Sequence, residues 1–122
     1  MAFISKKIVG VPYSRHKRRG KIAAPKAWTD NIVAQTKNLP EVKEACIVKI
    51  TFLLPDDKFP KDYPFGPDVD NLLKRFLDAL NATVFKNSKG KDSCIISLTV
   101  TKAKVESETD AGALLEILPV SY

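Results

Sequence analysis

A single histidine, His16, and two cysteines, Cys46 and Cys94, are all the nitrogen and sulfur ligands of the zinc type that the chain offers. That is too few for a structural zinc site, which takes four Cys or His ligands. A Cys and His nucleophilic pair stays open by count, but His16 stands among Arg and Lys, and nothing near either cysteine marks it as reactive. Neither a Gly-rich phosphate loop nor a Gly-x-Ser-x-Gly elbow occurs, which removes two common routes to phosphate and acyl chemistry. There is no run of eighteen apolar residues, and Met1-Ala2-Phe3-Ile4-Ser5-Lys6-Lys7 lacks the layout of a signal peptide. These absences predict a cytoplasmic protein with no membrane attachment and with both thiols buried and reduced. Internal repeats and low-complexity tracts are missing too, and 122 residues of ordinary composition suit one domain around one core.

Acid is missing from the first quarter of the chain. Eight of the 20 Lys and Arg residues precede the first acid, Asp30, and the remainder carries twelve basic against fourteen acidic residues. The net charge of +6 therefore arises wholly at the start. Such a block is the footprint of a polyanion partner, usually nucleic acid. An anionic membrane would require an amphipathic apolar face, of which this segment has little. Arg15, Lys17, Arg18, Arg19 and Lys21 fall within seven residues beside Tyr13. They read as DNA-binding residues of a basic arm over about 13–25, making phosphate contacts. A solvated loop is the plainer reading of the same charge run. An RNA-binding module would bring an aromatic-rich motif, and none is found.

Hydrophobic patterning supplies the elements. Phe3 to Val9 reads as a short strand. Residues 26–38 read as a helix after Pro25, with Trp28, Ile32 and Val33 inward and Pro40 as its stop. The run Cys46 to Leu54 is β-branched and largely apolar, which predicts a central strand. Four prolines between 55 and 67 exclude regular structure there, and Asp56, Asp57 and Asp62 are by default turn residues, although each could be a ligand. A second helix is predicted over 68–81 and a strand over Cys94 to Thr101. A last strand, Ala113 to Leu118, is expected to pair with it as a hairpin. The fold class is α+β, a mixed sheet of about four strands with two helices in the order β-α-β-α-β-β.

Chemistry concentrates at Pro67-Asp68-Val69-Asp70-Asn71-Leu72-Leu73-Lys74. Asp68 follows a proline and is a favoured N-cap, so the helix begins at 68 or just after. Val69, Leu72, Leu73, Phe76 and Leu80 form one inward stripe, and Asp70, Lys74 and Asp78 lie four apart on another face. If the backbone around 68–70 is still extended, the two acids project to one side and could share a divalent cation bound through oxygen. An N-cap with a second acid favoured by the helix dipole explains the same letters. Lys74 has two readings too, a phosphate contact or an ordinary ion pair with Asp70 or Asp78.

At Asp68-Val69-Asp70-Asn71-Leu72-Leu73-Lys74, continued by Asp78-Ala79-Leu80, the chain resembles the RusA family of Holliday-junction resolvases. The resemblance is close over about fifteen residues, and looser over most of the chain. It implies a homodimer of small α+β subunits that cuts four-way DNA junctions by paired nicks with Mg²⁺, or Mn²⁺ in its place. It implies that Asp68 and Asp70 bind the metal and that Lys74 is the motif lysine. The third acid of the family precedes the penultimate strand, often as two adjacent aspartates, and here that place reads Lys91-Asp92. Asp92 is thereby expected to be the third metal ligand. A non-catalytic DNA-junction-binding protein of the same fold, with a degraded metal site, is the alternative that Lys91 keeps open. No small-molecule substrate is implied.

Overall fold

The computed structural model describes residues 3–13, 23–56 and 67–120. In chain order the elements are β1 (Ile4–Val9), α1 (Ala23–Thr36), β2 (Cys46–Pro55), α2 (Val69–Leu80), β3 (Ile95–Val105) and β4 (Gly112–Pro119). The α+β class and the order β-α-β-α-β-β are as the patterning predicts. Short 3₁₀ turns, Lys91–Cys94 and Glu108–Asp110, precede β3 and β4. Among the described residues no helix is long and apolar enough to cross a membrane.

The four strands form one mixed sheet in the order β1-β4-β2-β3. The strand β2 is central, as its apolar run predicts, with β4 antiparallel on one side and β3 parallel on the other. The expected hairpin of the last two strands is not formed. A parallel partner needs a crossover, and α2 with the turns after it provides one between β2 and β3. The last strand then crosses the end of β2 and inserts between β1 and β2, where Ala113, Leu115 and Ile117 are fully buried. β3 is left at the edge, with residues 96–99 exposed. Gly112 makes the insertion possible: its φ is 156°, and a side chain there would collide with the carbonyl of Ile8 on β1.

Alternation along β2 puts Val48, Ile50, Phe52 and Leu54 on the helix side, all fully buried. Phe76 of α2 is the hinge of the core, packing edge-on against Phe52 (centroids 5.5 Å apart) and stacking with Trp28 of α1 (6.3 Å). Both helices are thereby fixed on one sheet face. Gln35 clasps the end of β1 to α1, its amide accepting from Val9 N (2.8 Å) and donating to Val9 O (2.9 Å). Thr36 Oγ1 donates to Ile32 O (2.7 Å) and meets Thr83 Oγ1 at 2.7 Å, which joins the end of α1 to the turn after α2. On the other sheet face Ile47, Leu114 and Leu118 stay exposed, and no described element covers them.

Candidate active site

The helix α2 begins where the letters place it, but only its first residue of interest keeps the extended backbone. Asp68 is the N-cap, with φ −65° and ψ 135°, and the helix closes at Val69. Asp70 therefore stands on the first helical turn, so the extended backbone over 68–70 that would project both acids to one side is not formed. Leu72, Phe76, Ala79 and Leu80 are the buried face, whereas Val69, expected inward, is 39% exposed because the helix has barely begun to reach the core there. Asp70, Lys74 and Asp78 are all exposed on the outer face.

Asp68 at the N-cap and Asp70 in the first turn hold the positions that the capping and dipole reading requires. Asp68 occupies the N-cap position without making a side-chain capping hydrogen bond, so its carboxylate is not spent on the helix. Asp70 Oδ1 accepts from Asn71 N at 3.1 Å, which steadies that carboxylate. Lys74 forms no ion pair within 4.0 Å with any described acid, although Asp70 and Asp78 both lie four residues away. Two hard oxygen donors and a cation thus stand exposed together at one helix entrance, a donor set that suits Mg²⁺ or Mn²⁺ rather than a soft metal.

Asp92 is not brought to this pair. Its Oδ2 accepts from Asn81 Nδ2 at 3.1 Å, and Asn81 is the C-cap of α2. Eleven residues of helix separate Asp70 from that cap, about 16 Å at 1.5 Å per residue. Among the described residues no three His, Cys, Asp or Glu side chains gather closely enough to hold a metal ion. Lys91 does not share the place with Asp92 either. Gly90 and Lys91 both have left-handed backbone (φ 78° and 54°), and Lys91 Nζ turns back to donate to Lys86 O at 2.9 Å. Arg15, Lys17, Arg18, Arg19 and Lys21 lie outside the described residues, as do His16, Asp57 and Asp62. Asp56 is exposed beside Lys104, at 3.7 Å.

Two features escape the patterning. Lys102 stands on the helix-facing side of β3, at the register position of Phe52, and its Nζ donates to Pro67 O at 2.7 Å. It ties the backbone immediately before Asp68 to the sheet. Strict alternation along β3 would have flagged a lysine on an apolar face. The second is the nearness of the two cysteines, 48 residues apart in the chain but with Sγ atoms 4.0 Å apart. Both are free thiols. Burial first, and then the neighbouring Cys94, push the Cys46 thiol up to about 12. A thiol so hard to ionise is not a nucleophile near neutral pH.

Fold and site together define a class, a small α+β protein that offers an exposed carboxylate pair and a cation at the start of one helix. The family profile of endodeoxyribonuclease RusA matches residues 12–117, and the chain belongs to that family. The family is one of enzymes that cut within DNA and resolve Holliday junctions in recombination and repair. No curated protein matches the chain in sequence.

Proposed function

We propose that this protein resolves four-way DNA junctions by Mg²⁺-dependent paired nicking, with Asp68 and Asp70 holding the metal and Lys74 on the scissile phosphate. The observation that carries the proposal is that, among the described residues, Asp68 makes no capping bond, Asp70 accepts only from Asn71 N, and none of Asp68, Asp70 and Lys74 is in an ion pair. Mg²⁺ commonly takes only one or two carboxylates and completes its octahedron with substrate phosphate and water, so a third acid is not required. When bound, the ion supplies an activated water and stabilises charge on the phosphate and the leaving oxygen. Asp70, braced by Asn71 N, keeps its oxygens in a fixed direction. Lys102 holds Pro67 and with it the extended backbone of Asp68. Lys74, one turn beyond Asp70, offsets the charge that develops on the phosphate. The basic arm, Arg15 to Lys21, grips the junction arms, and a two-fold homodimer presents two such sites to symmetry-related strands.

A second reading, junction binding without cutting, has one observation in its favour: no third acid joins Asp68 and Asp70 among the described residues. A labelled four-way junction decides between them. With Mg²⁺ the wild-type protein should nick it, and Asp70→Asn should bind it without nicking. An uncut junction in a stable wild-type complex would leave only the second reading, and loss of binding in Asp70→Asn would make that residue structural.

A further inference from the structure

Beside the carboxylate pair, an open cleft of about 350 Å³ runs between α1 and α2. Its lining is of two kinds. Val33, Ala79 and Ala82 give a shallow apolar wall of small side chains, while Thr29, Asn71, Lys74, Arg75 and Asp78 give a polar one. Lys74 and Arg75 bring cationic groups to the cleft, and Asp78 brings one carboxylate. Arg75 Nη1 donates to Thr29 Oγ1 at 3.4 Å, which spans the gap between the helices and holds the guanidinium at the cleft. Guanidinium is the group best shaped for phosphate oxygens.

Inorganic phosphate alone would leave the apolar wall unused. Double-helical DNA is too broad, since the volume lies at the lower end of the ~300–1,000 Å³ of clefts that take single small molecules. Asn71 lines the cleft and directly follows Asp70, so whatever fills it adjoins the helix entrance. We propose that the cleft between α1 and α2 is a subsite for one unpaired nucleotide of the strand being cut. Arg75 and Lys74 bind its phosphate, and its sugar and base lie against Val33, Ala79 and Ala82. Its place next to the scissile bond rests on the nuclease reading above, whereas its occupation by a nucleotide does not. A strand must unstack locally to deliver such a unit, which a branch point allows more cheaply than a continuous duplex.

The test uses the full chain, free of metal and in a chelator, so that no cutting is needed. A pentathymidylate and inorganic phosphate are titrated separately while the backbone amides and the Arg75 Nε signal are followed by NMR. The oligonucleotide should move Val33, Asn71, Ala82 and Arg75 together, and phosphate should move Arg75 without Val33 and Ala82. Ala82→Phe, which fills the cleft from an exposed position, should weaken oligonucleotide binding at least tenfold with the remaining spectrum unchanged. Thr29→Val, which removes the hydroxyl that anchors Arg75, should weaken it severalfold while keeping the side-chain shape. Shifts confined to the basic arm, equal responses to phosphate and oligonucleotide, or wild-type affinity in Ala82→Phe would each overturn the subsite. Failure of the wild-type protein to cut a junction with Mg²⁺ would overturn the nuclease reading instead and leave the titration result standing.

Discussion

Lys102 carries a charge on the helix-facing side of β3, and the Pro67 carbonyl receives it. A charge-assisted bond of this kind contributes ~1.5–3 kcal/mol when well shielded. Lys102 is only half-buried, so Lys102→Met should cost about 1 kcal/mol in urea unfolding. The larger effect should fall on cutting, about tenfold, with junction binding retained, because the helix entrance loses its tie to the sheet. Equal losses in binding and cutting would show that Lys102 does not act through the position of Asp68. Cys46 makes a different residue-level prediction. Its folded value of about 12 lies above the ordinary 9.0, so between those limits the unfolded chain gives up the proton and the folded chain keeps it. Stability contributed by the buried thiol is thus present below pH 9 and declines as pH rises toward 12. Chemical unfolding of wild type and Cys46→Ala across this range should show the steeper decline in wild type only.

At the scale of elements, α2 does two jobs with two faces. Its inward stripe was legible because Leu72, Phe76 and Leu80 recur at helical spacing and have a core to meet. Its outward face was legible as chemistry only in part. Spacing put Lys74 within reach of Asp70 and Asp78, but whether a solvated lysine pairs with either depends on side-chain placement that no period encodes. Asp92 is the plainest gap between letters and space. The family resemblance implied a ligand there, and a length of rigid helix puts Asp92 at the opposite end from Asp70. The basic arm makes its own prediction from charge alone. Replacing Arg18 and Arg19 by Ala should weaken junction binding and reduce the slope of log K against log salt by about 2, near 0.9 for each phosphate that is no longer neutralised. An unchanged slope would remove the arm from the interface.

For the whole molecule the sheet face that no described element covers is the feature with consequences. Ile47, Leu114 and Leu118 lie on it, and the register places Lys49 opposite Glu116 among them. Apolar side chains around a pair of opposite charges can meet a second copy of the same surface across a two-fold axis. If the proposed homodimer uses this face, Leu118→Glu should convert a dimer into a monomer in light scattering and leave the far-UV circular dichroism unchanged. A wild-type monomer, or a dimer that survives the substitution, would remove this face from the assembly.

The sequence by itself determined the elements, the inward faces of the helices, the central place of β2 and the grouping of Asp68, Asp70 and Lys74, because each of these follows from local period, turn chemistry or spacing within a single turn. Only the tertiary structure decided the sheet order, in which β4 parts from β3 to pair with β1 and β2. It alone placed Lys102 under Pro67, Cys46 beside Cys94, Thr29 across from Arg75, and Asp92 away from the carboxylate pair. Each of those depends on which strands pair and how far a rigid helix carries the chain, and residues distant in sequence meet only after that is settled.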